Sequence, residues 1–201
     1  MTIIRAVLLM HALLVVAGAP LAAQASIART VPDGSVRRGL LSFDARATAG
    51  DFTGTTTSVT GQMNGGALTA VRGWVEAPVR TLATGNKRRD RDLNKSMESG
   101  KYPVIRFELT NVAAPESPGD SINVVLHGRF MIHGVTRETS VPASLIFQNQ
   151  GIRLLGETPI NLKDYKIGGL SKALGMLKMS EKIAVHIDIL FGTGPLQQAR
   201  R

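Results

Sequence analysis

The sequence contains no cysteine and few aromatic residues, which make up only 4% of it. Without a thiol, the chain cannot form disulfide bonds, a cysteine nucleophile, or cysteine-ligated zinc and iron–sulfur sites. The shortage of aromatic side chains argues against a surface on which nucleic-acid bases stack. The catalytic patterns G-x-S-x-G, G-K-S/T and H-E-x-x-H do not occur either. These absences exclude many of the familiar catalytic and metal-binding sites.

What is present is an apolar chain of single-domain length with a basic surface. Its 201 residues are 43% hydrophobic, which is enough to bury a substantial core. Lys and Arg number 24 against 15 Asp and Glu, so the formal net charge is +9. A basic balance indicates anionic partners such as lipid headgroups, lipopolysaccharide or nucleic acid, without choosing among them.

The first 25 residues have the pattern of a secretory signal peptide. One positive charge at Arg5 precedes an apolar stretch from Ala6 to Ala19, and Ala23-Gln24-Ala25 fits an A-x-A cleavage site. A transmembrane helix would need about 20 apolar residues. We therefore predict cleavage after residues 1–25 and a periplasmic or secreted protein, which has a charge of +8 once Arg5 is removed from the total of +9.

Alternating apolar and polar residues predict that the rest of the chain consists of strands with one buried face. The predicted strands are 41–47, 71–77, 105–109, 122–132, 141–147, 152–162 and 183–191, with a Thr-rich eighth candidate at 52–63. Two longer connections, 84–101 and 168–178, have partly helical patterns. The tail, residues 192–201, is predicted to be disordered.

Short turn sequences favour antiparallel pairing between consecutive strands. Asn64-Gly65-Gly66 is a hairpin signal, and His133-Gly134-Val135-Thr136 and Asn149-Gln150-Gly151 are short links between later strands. Eight such strands need a common interior, which an up-and-down barrel supplies while removing exposed edges. The predicted fold class is therefore all-β with short helices, as an eight-stranded antiparallel up-and-down barrel. A β-sandwich has the same alternation and stays open as the alternative.

Three stretches of this sequence resemble the YceI-like family. They are residues 79–107, with Thr84-Gly85-Asn86 and Lys101-Tyr102-Pro103; residues 126–136, with His133-Gly134-Val135-Thr136; and residues 160–167, followed by a closing strand at 185–189. Their order and spacing agree with the family across about residues 79–191. The resemblance implies an exported, lipocalin-like barrel over residues 26–191 that is associated with polyisoprenoid binding.

If the barrel holds a lipid, its contacts should come from the inward faces of the strands. Five of the six phenylalanines share the parity of the aliphatic face of their strands. Burial of each methylene-sized group is worth about 0.8 kcal/mol, so a tail of two or more isoprene units could be retained. The same side chains would also serve simply to fill the barrel. The predicted ligand contacts are Phe43, Phe107, Leu126, Phe130, Ile132, Phe147, Leu154 and Ile187 in the lumen, with Leu170, Leu174 and Leu177 as a lid or mouth.

The segment around Thr84, Gly85, Asn86, Arg89 and Asp90 has two interpretations. It could contact a ligand headgroup at the barrel rim. The favoured interpretation is structural: Asn86 or Thr84 caps a helix, and Arg89 and Asp90 tie that helix to the barrel. The adjacent basic residues are interrupted by acidic ones, so a solvated helical face is favoured over nucleic-acid binding.

Residues for catalysis or metal binding are few. His127 and His133 lie six residues apart on one predicted strand, too far for a two-ligand clip, and His186 lies on another. We therefore predict no metal site and no catalytic residue. The carboxylates left for acid–base chemistry are Glu157, Asp164 and Asp188, for which the sequence suggests no pairing.

The predicted function is non-catalytic binding, sequestration or transport of an isoprenoid or similar amphiphilic lipid. The expected partners are an apolar lipid and, transiently, an anionic membrane surface, with no nucleic acid and no cofactor beyond a bound isoprenoid lipid or quinone. The oligomeric state stays open, with a dimer as one option. Two alternatives remain: an exported, stress-related binding protein for a fatty amide or quinone, and a hydrolase or isomerase that uses the pocket.

Overall fold

The computed structural model describes residues 30–114, 119–168, 171–172 and 177–193. The predicted signal peptide, most of the predicted tail and two predicted lid residues, Leu170 and Leu174, lie outside these ranges. Only the backbone of Leu177 is described.

Strands dominate the described part of the chain, which has a single α-helix. The strands are β1 (Thr30–Val31), β2 (Gly34–Ala45), β3 (Phe52–Thr56), β4 (Thr60–Asn64), β5 (Gly66–Ala67), β6 (Arg72–Pro78), β7 (Val104–Ala113), β8 (Ser121–Ile132), β9 (Val135–Gln148), β10 (Gly151–Asn161), β11 (Ser171–Lys172), β12 (Leu177–Lys178) and β13 (Lys182–Thr193). The helix is α1 (Lys87–Ser96), and 3-10 turns occur at Leu68–Ala70, Val79–Thr81 and Leu162–Tyr165.

The long strands form a closed antiparallel barrel in which each strand pairs with its neighbours in sequence. The order is β13-β10-β9-β8-β7-β6-β4-β2, and pairing of β13 with β2 closes the sheet. β3 pairs with the second half of β2, and β4 pairs with the first residues of β2. β3 and β4 together therefore take the place of one barrel strand, with a break between them. The predicted eight-stranded up-and-down barrel is therefore confirmed, and the sandwich alternative is wrong.

Two of the predicted turns differ in how tightly they close. His133 and Gly134 alone connect β8 to β9, with φ values of +52° and +72° that suit a primed hairpin turn. A Cβ on Gly134 would lie 2.4 Å from the Tyr102 ring, so this position also needs glycine for space. The Asn64-Gly65-Gly66 turn is wider than predicted, because Gly66 pairs with β1 and a 3-10 turn follows before β6 begins.

The helix within the predicted 84–101 region is confirmed, with Asn86 as its N-cap. The Asn86 side chain accepts hydrogen bonds from the Arg88 and Arg89 backbone N–H groups. Thr84 is not the cap; its N–H and hydroxyl both donate to Asp90 Oδ1, at 2.8 and 2.6 Å. The predicted Asn86 cap and the structural role of Asp90 are therefore confirmed.

The helical prediction for residues 168–178 is wrong where the structure describes that segment. β11 and β12 pair antiparallel there, with Ser171 opposite Lys178 and Lys172 opposite Leu177. The spacing of the leucines predicts a helix, but glycines at 168, 169 and 175 disfavour one. Main-chain pairing between β11 and β12 supplies the hydrogen bonds that a helix would otherwise have made.

The two ends of the barrel differ, and we name them here. The far end holds the start of β8 and β10; there Val31, Val112, Ile122 and Ile152 are buried in the main hydrophobic core. The mouth end holds the start of β7, β9 and β13, and the connection that contains α1. No helix in the described ranges is long and apolar enough to span a bilayer.

Candidate ligand-binding cavity

A cavity of about 350 Å³ occupies the mouth half of the barrel interior. Inward side chains from most of the barrel strands form its walls, and α1 lies along its entrance. Its lining is mainly apolar. The polar lining residues are Arg89, Asp92 and Ser96 of α1 and Lys178 of β12 at the entrance, together with Ser42, Thr56 and Glu76 on the strands. The principal apolar lining residues are Leu41, Phe43, Phe52, Val75, Leu82, Leu93, Met97, Ile105, Phe107, Leu126, Phe130, Ile132, Val141, Leu154, Ile160, Leu162, Ile167, Met179, Ile183, Val185 and Ile187.

Most of the lumen residues predicted from the sequence lie together on this cavity. Those that line it are Phe43, Phe107, Leu126, Phe130, Ile132, Leu154 and Ile187. Phe147 does not line it. The Phe147 side chain packs on the core near the far end. There Phe147 of β9 pairs with Ile152 of β10, and the Phe147 N–H donates to Asp120 O at 2.8 Å. Parity places Phe147 on the inner face but says nothing of its height in the barrel.

Sequence reasoning missed several lining residues, and some of them carried a usable signal. Leu93 of α1 and Met97, the residue that caps the end of that helix, are four residues apart, which puts them on one face toward the cavity. Ile105 and Val185 belong to alternating rows that were recognised as strands. Phe52, at the start of β3, had no clear signal because the Thr-rich strand lacks an aliphatic row.

Aromatic rings occupy the middle and the entrance of the cavity. The Phe107 and Phe130 rings are neighbours on β7 and β8, with centroids 4.9 Å apart. Gly128 leaves room for Phe107, since a Cβ there would lie 2.5 Å from the ring. Nearer the mouth, Phe43 and Phe52 meet edge to face, with centroids 6.2 Å apart. These rings give the cavity a wide apolar wall.

The entrance carries charged and polar side chains from α1 and β12. Arg89, Asp92 and Ser96 line it from the helix, and Lys178 lines it from the opposite side. The Arg89 guanidinium lies over the Phe52 ring, 4.1 Å from its centroid, which ties the helix to β3. A long molecule in the cavity would therefore have its buried part among hydrocarbon side chains and its outer end among polar groups.

Main-chain hydrogen bonds fix the side of the entrance opposite α1. Ala47 and Met179 form a β-bridge, and the Thr48 N–H donates to Lys178 O at 2.9 Å. The Ser180 N–H donates to Arg46 O at 2.7 Å. These bonds hold Ala47 and Met179, both of which line the cavity, at a defined distance from each other.

His133, in the β8–β9 turn, has a structural environment. Its Nδ1 lies 3.0 Å from the backbone oxygen of Tyr165, which can only accept, so Nδ1 carries a proton. Its Nε2 lies 3.3 Å from Glu98 Oε1 without hydrogen-bond geometry, and the Tyr102 ring packs against the imidazole edge. Burial raises the pKa of the Tyr165 phenol. His133 thus links the turn to two connections at the mouth end.

The other candidates for chemistry lie on the outer surface, away from the cavity. His186 sits between Asp44 and Glu157, at 2.9 and 3.3 Å. Hydrogen bonds from Thr53 and then from His186 hold the pKa of Asp44 below its usual value. Among the residues that the structure describes, neither this trio nor any other group of three such side chains is arranged so that it could hold a metal ion.

Of the two further candidates, Asp188 is held through its carboxylate and Asp164 through its backbone. Arg153 makes a bidentate pair with Asp188, at 2.8 and 2.7 Å, and this hydrogen bonding lowers the pKa of Asp188. Asp164 lies in the Leu162–Tyr165 turn, where its backbone oxygen accepts from Arg137 Nε at 2.7 Å. These contacts stabilise the wall and the mouth-end connections of the barrel.

A second concavity of about 730 Å³ crosses the outer face of β2, β13, β10, β9 and β8. It includes Leu40, whose side chain is 41% exposed, together with Pro142 and Leu155. Its larger volume is that of an open groove, whereas the interior cavity is enclosed by the barrel wall. Enclosure by apolar walls is what a small-molecule site needs, so the interior cavity is the better candidate.

Comparison with known proteins agrees with this architecture. A structure of BcnA from Burkholderia cenocepacia is 15% identical, with a TM-score of 0.64, over 77% of this chain and 96% of the other. A structure described as a polyisoprenoid binding domain from Saccharophagus degradans is 16% identical, with a TM-score of 0.65, over 82% and 99%. At these identities the likeness shows the shared fold.

Sequence comparison assigns the family. No curated protein matches the chain. The family model of the YceI-like domain, however, matches residues 33–191, which include every long strand of the barrel and α1. This agrees with the resemblance carried by the 79–107, 126–136 and 160–167 stretches. The chain belongs to the YceI-like domain family.

Proposed function

We propose that the chain binds an isoprenoid or similar amphiphilic lipid, with the tail in the cavity and the headgroup at the mouth. The observation that carries this proposal is the uneven distribution of polarity along the cavity: walls that are mainly hydrocarbon inside, and Arg89, Asp92, Ser96 and Lys178 at the entrance. A volume of about 350 Å³ lies in the range of pockets for small organic ligands. Hydrophobic burial would supply affinity, and the entrance would supply orientation.

An isoprenoid is our first choice because of the shape of the walls and because of the family. The aromatic and branched aliphatic side chains give a wide, uneven lumen that suits a methyl-branched tail. The relative from Saccharophagus degradans is described as a polyisoprenoid binding domain, which supports this choice. A fatty amide or a quinone is the alternative within the same cavity.

We further propose that the protein sequesters or carries its ligand without chemical change. Three side chains that could act in acid–base chemistry, His186, Glu157 and Asp188, lie on the outer face of the barrel in polar contacts. The carboxylates that border the cavity are Glu76 and Asp92, and no histidine is among its described lining residues. The signal-peptide pattern of residues 1–25 supports action in the periplasm or outside the cell. An aqueous compartment is where a lipid needs a protein carrier.

The first experiment is native mass spectrometry of protein purified from the exported fraction, followed by organic extraction of the bound molecule. We expect one stoichiometric apolar species that is released intact and contains isoprene units. A released product that differs from the molecule added would favour the pocket enzyme. An empty protein that also takes up no added farnesol or ubiquinone would contradict the proposal.

A matched pair of substitutions tests where the ligand sits. Val185 faces the cavity and Ala184, its neighbour on β13, lies on the other face of the sheet. We expect Val185→Phe to weaken binding of all-trans-retinol, a fluorescent isoprenoid alcohol, at least tenfold, because the ring fills the cavity. Ala184→Phe should bind as the wild type does. Equal affinities of both variants, with unchanged far-UV circular dichroism, would contradict binding in the lumen.

Competition against retinol distinguishes the classes of ligand. Farnesol, dodecanol and dodecanamide have tails of similar length but differ in branching and headgroup. We expect farnesol to displace retinol at the lowest concentration. Stronger displacement by dodecanamide would favour the fatty-amide alternative.

A further inference from the structure

Positive charge is concentrated at the mouth end of the barrel. We call residues 46–51, 79–103, 162–168 and 178–182 the mouth collar, because these connections border the cavity entrance. The collar contains twelve Lys and Arg against six Asp and Glu, a net charge of +6. The described connections at the far end, residues 32–33, 65–71, 119–120 and 149–150, contain two Asp and no Lys or Arg. The molecule therefore has a positive mouth end and a slightly negative far end.

The two faces of α1 show how the charge is arranged. Leu93 and Met97 face the cavity, whereas Lys87, Arg88 and Arg91 are exposed on the outer face. These three cations make no ion pair with any residue in the described ranges. Within the part of the chain that the structure describes, their charge therefore stays available to a partner.

Helix stability does not explain these cations either. Lys87 and Arg88 occupy the first turn of α1, directly after the Asn86 cap. The helix dipole favours negative side chains at that end and disfavours positive ones. A sequence selected for a stable helix would have Asp or Glu at these positions. The first turn does contain Asp90, but its basic residues outnumber that one acidic residue. This local disadvantage points to a role outside the fold.

We propose that the mouth collar docks on an anionic lipid bilayer, so that the cavity entrance faces the membrane. An anionic bilayer attracts clustered Lys and Arg within about a Debye length, about 10 Å at 0.1 M salt. The charge difference between the two ends orients the protein as it approaches. Docking itself does not require a ligand; its use for lipid loading rests on the proposed function.

A bilayer fits the collar better than nucleic acid does. Single-stranded nucleic acid is bound by exposed aromatic side chains on which bases stack. The aromatic residues of the collar are engaged, since Tyr102 packs against His133 and Tyr165 is buried. Phe52, next to the collar, lies beneath Arg89. A cluster of exposed cations around an apolar opening matches a membrane surface, which offers phosphates in a plane and hydrocarbon beneath them.

The test measures cosedimentation with vesicles of phosphatidylcholine containing 30% phosphatidylglycerol, or of phosphatidylcholine alone. We expect the wild type to bind only the anionic vesicles, and to be released at 0.5 M salt. The triple variant Lys87→Gln, Arg88→Gln, Arg91→Gln should bind on the order of 100-fold more weakly, because each cation near such a surface contributes about fivefold.

The control removes the same charge from the wall and the far end. Its substitutions are Arg38→Gln, Arg72→Gln and Arg129→Gln. We expect it to keep most of the vesicle affinity, and equal weakening of both triple variants would overturn the proposal. Wild-type binding to neutral vesicles, or equally tight binding to a DNA duplex, would overturn it too. None of the six positions lines the cavity, so retinol binding reports separately on the proposed function.

Orientation is tested with single cysteines, which the cysteine-free chain allows. An environment-sensitive nitrobenzoxadiazole label is attached at Lys95→Cys in the collar or at Asn149→Cys at the far end, both exposed. We expect a blue shift and increased emission on anionic vesicles for the Lys95→Cys protein alone. Equal shifts at both positions would overturn the orientation.

Discussion

The mouth and far ends of this barrel are built from the same strands but serve different purposes. At the far end, the β1–β5 ribbon and the adjoining turn bury Val31 and Val71 in the core. At the mouth, longer connections leave a cavity of about 350 Å³ and present cations outside it. One strand shows the contrast: on β13, Ile189 is 0% exposed, whereas Ile183 is partly buried and lines the cavity. Close packing and the proposed binding are thus separated along the barrel axis.

The largest expected effect comes from applying one substitution at both ends of β13. Ile189→Ala should lower the free energy of unfolding by about 4 kcal/mol, because it leaves a cavity in close-packed surroundings. Ile183→Ala should cost about 1–2 kcal/mol, since its side chain already borders empty space. Urea unfolding with unchanged m-values measures both. Equal losses would mean that the two ends are packed alike.

The next effect concerns the glycine that makes room for an aromatic wall. A Cβ at Gly128 would lie 2.3 Å from Glu108 O and 2.5 Å from the Phe107 ring. We expect Gly128→Ala to cost about 2–3 kcal/mol and to push Phe107 into the cavity, so that retinol binding weakens. The measurement combines urea unfolding with retinol titration.

Gly156→Ala is the matched control for this prediction. Gly156 is also a strand glycine, but a Cβ there would be no nearer than 3.3 Å to any neighbour. We expect the free energy of unfolding to change by no more than about 1 kcal/mol. Ala loses less backbone freedom than Gly on folding, and this gain offsets the slightly tight contacts. If Gly156→Ala impaired retinol binding as strongly as Gly128→Ala, displacement of Phe107 would not be the cause.

The sequence predicts the wall of this protein better than its two ends. Alternation identifies Leu126, Phe130 and Ile132 as inward because a strand has a period of two, and eight such strands require closure. Alternation does not give height along the barrel, and this is why Phe147 shares the inward face without reaching the cavity. Height depends on register and shear, which are set by pairing between strands rather than by any one of them.

The mouth was only partly predictable because its elements depend on contacts between distant segments. Asn86 could be identified as a cap since capping is local chemistry. The position of Phe52 under Arg89 follows from docking of α1 on β3, which no local pattern encodes. The 168–178 segment was misassigned for the same reason: pairing of Ser171 with Lys178 overrides a helical spacing of leucines.

A smaller effect is expected at the anchor between α1 and the preceding connection. Asp90 accepts two hydrogen bonds from Thr84, and both lower the pKa of its carboxyl group. The bond from the Thr84 hydroxyl has the larger effect and the bond from the N–H the smaller. Asp90→Asn keeps the shape of the side chain but removes its charge. We expect it to lower the free energy of unfolding by about 1 kcal/mol at pH 7. Because the folded pKa is depressed, this stabilisation is present above the ordinary value of 3.8 and is lost as pH falls through the folded pKa.

Unfolding measured between pH 5 and pH 2.5 checks that sign. The difference in stability between the wild type and Asp90→Asn should shrink as the solution becomes more acidic. Thr84→Val, which keeps the N–H donor but not the hydroxyl, should reproduce part of the loss. A difference that grows toward low pH would contradict the assignment of the charge to Asp90.

The smallest expected effect tests whether the mouth senses the ligand headgroup. The Arg89 guanidinium is held over Phe52 at the entrance, so its N–H groups can reach a headgroup while the tail stays below the ring. Arg89→Gln should weaken farnesyl phosphate about fivefold and leave farnesol nearly unchanged, since only the phosphate gains from a fixed positive charge. Competition titrations against retinol measure both. Equal weakening of the two ligands would mean that Arg89 acts by holding Phe52 in the wall, and the polarity of the mouth would then be structural.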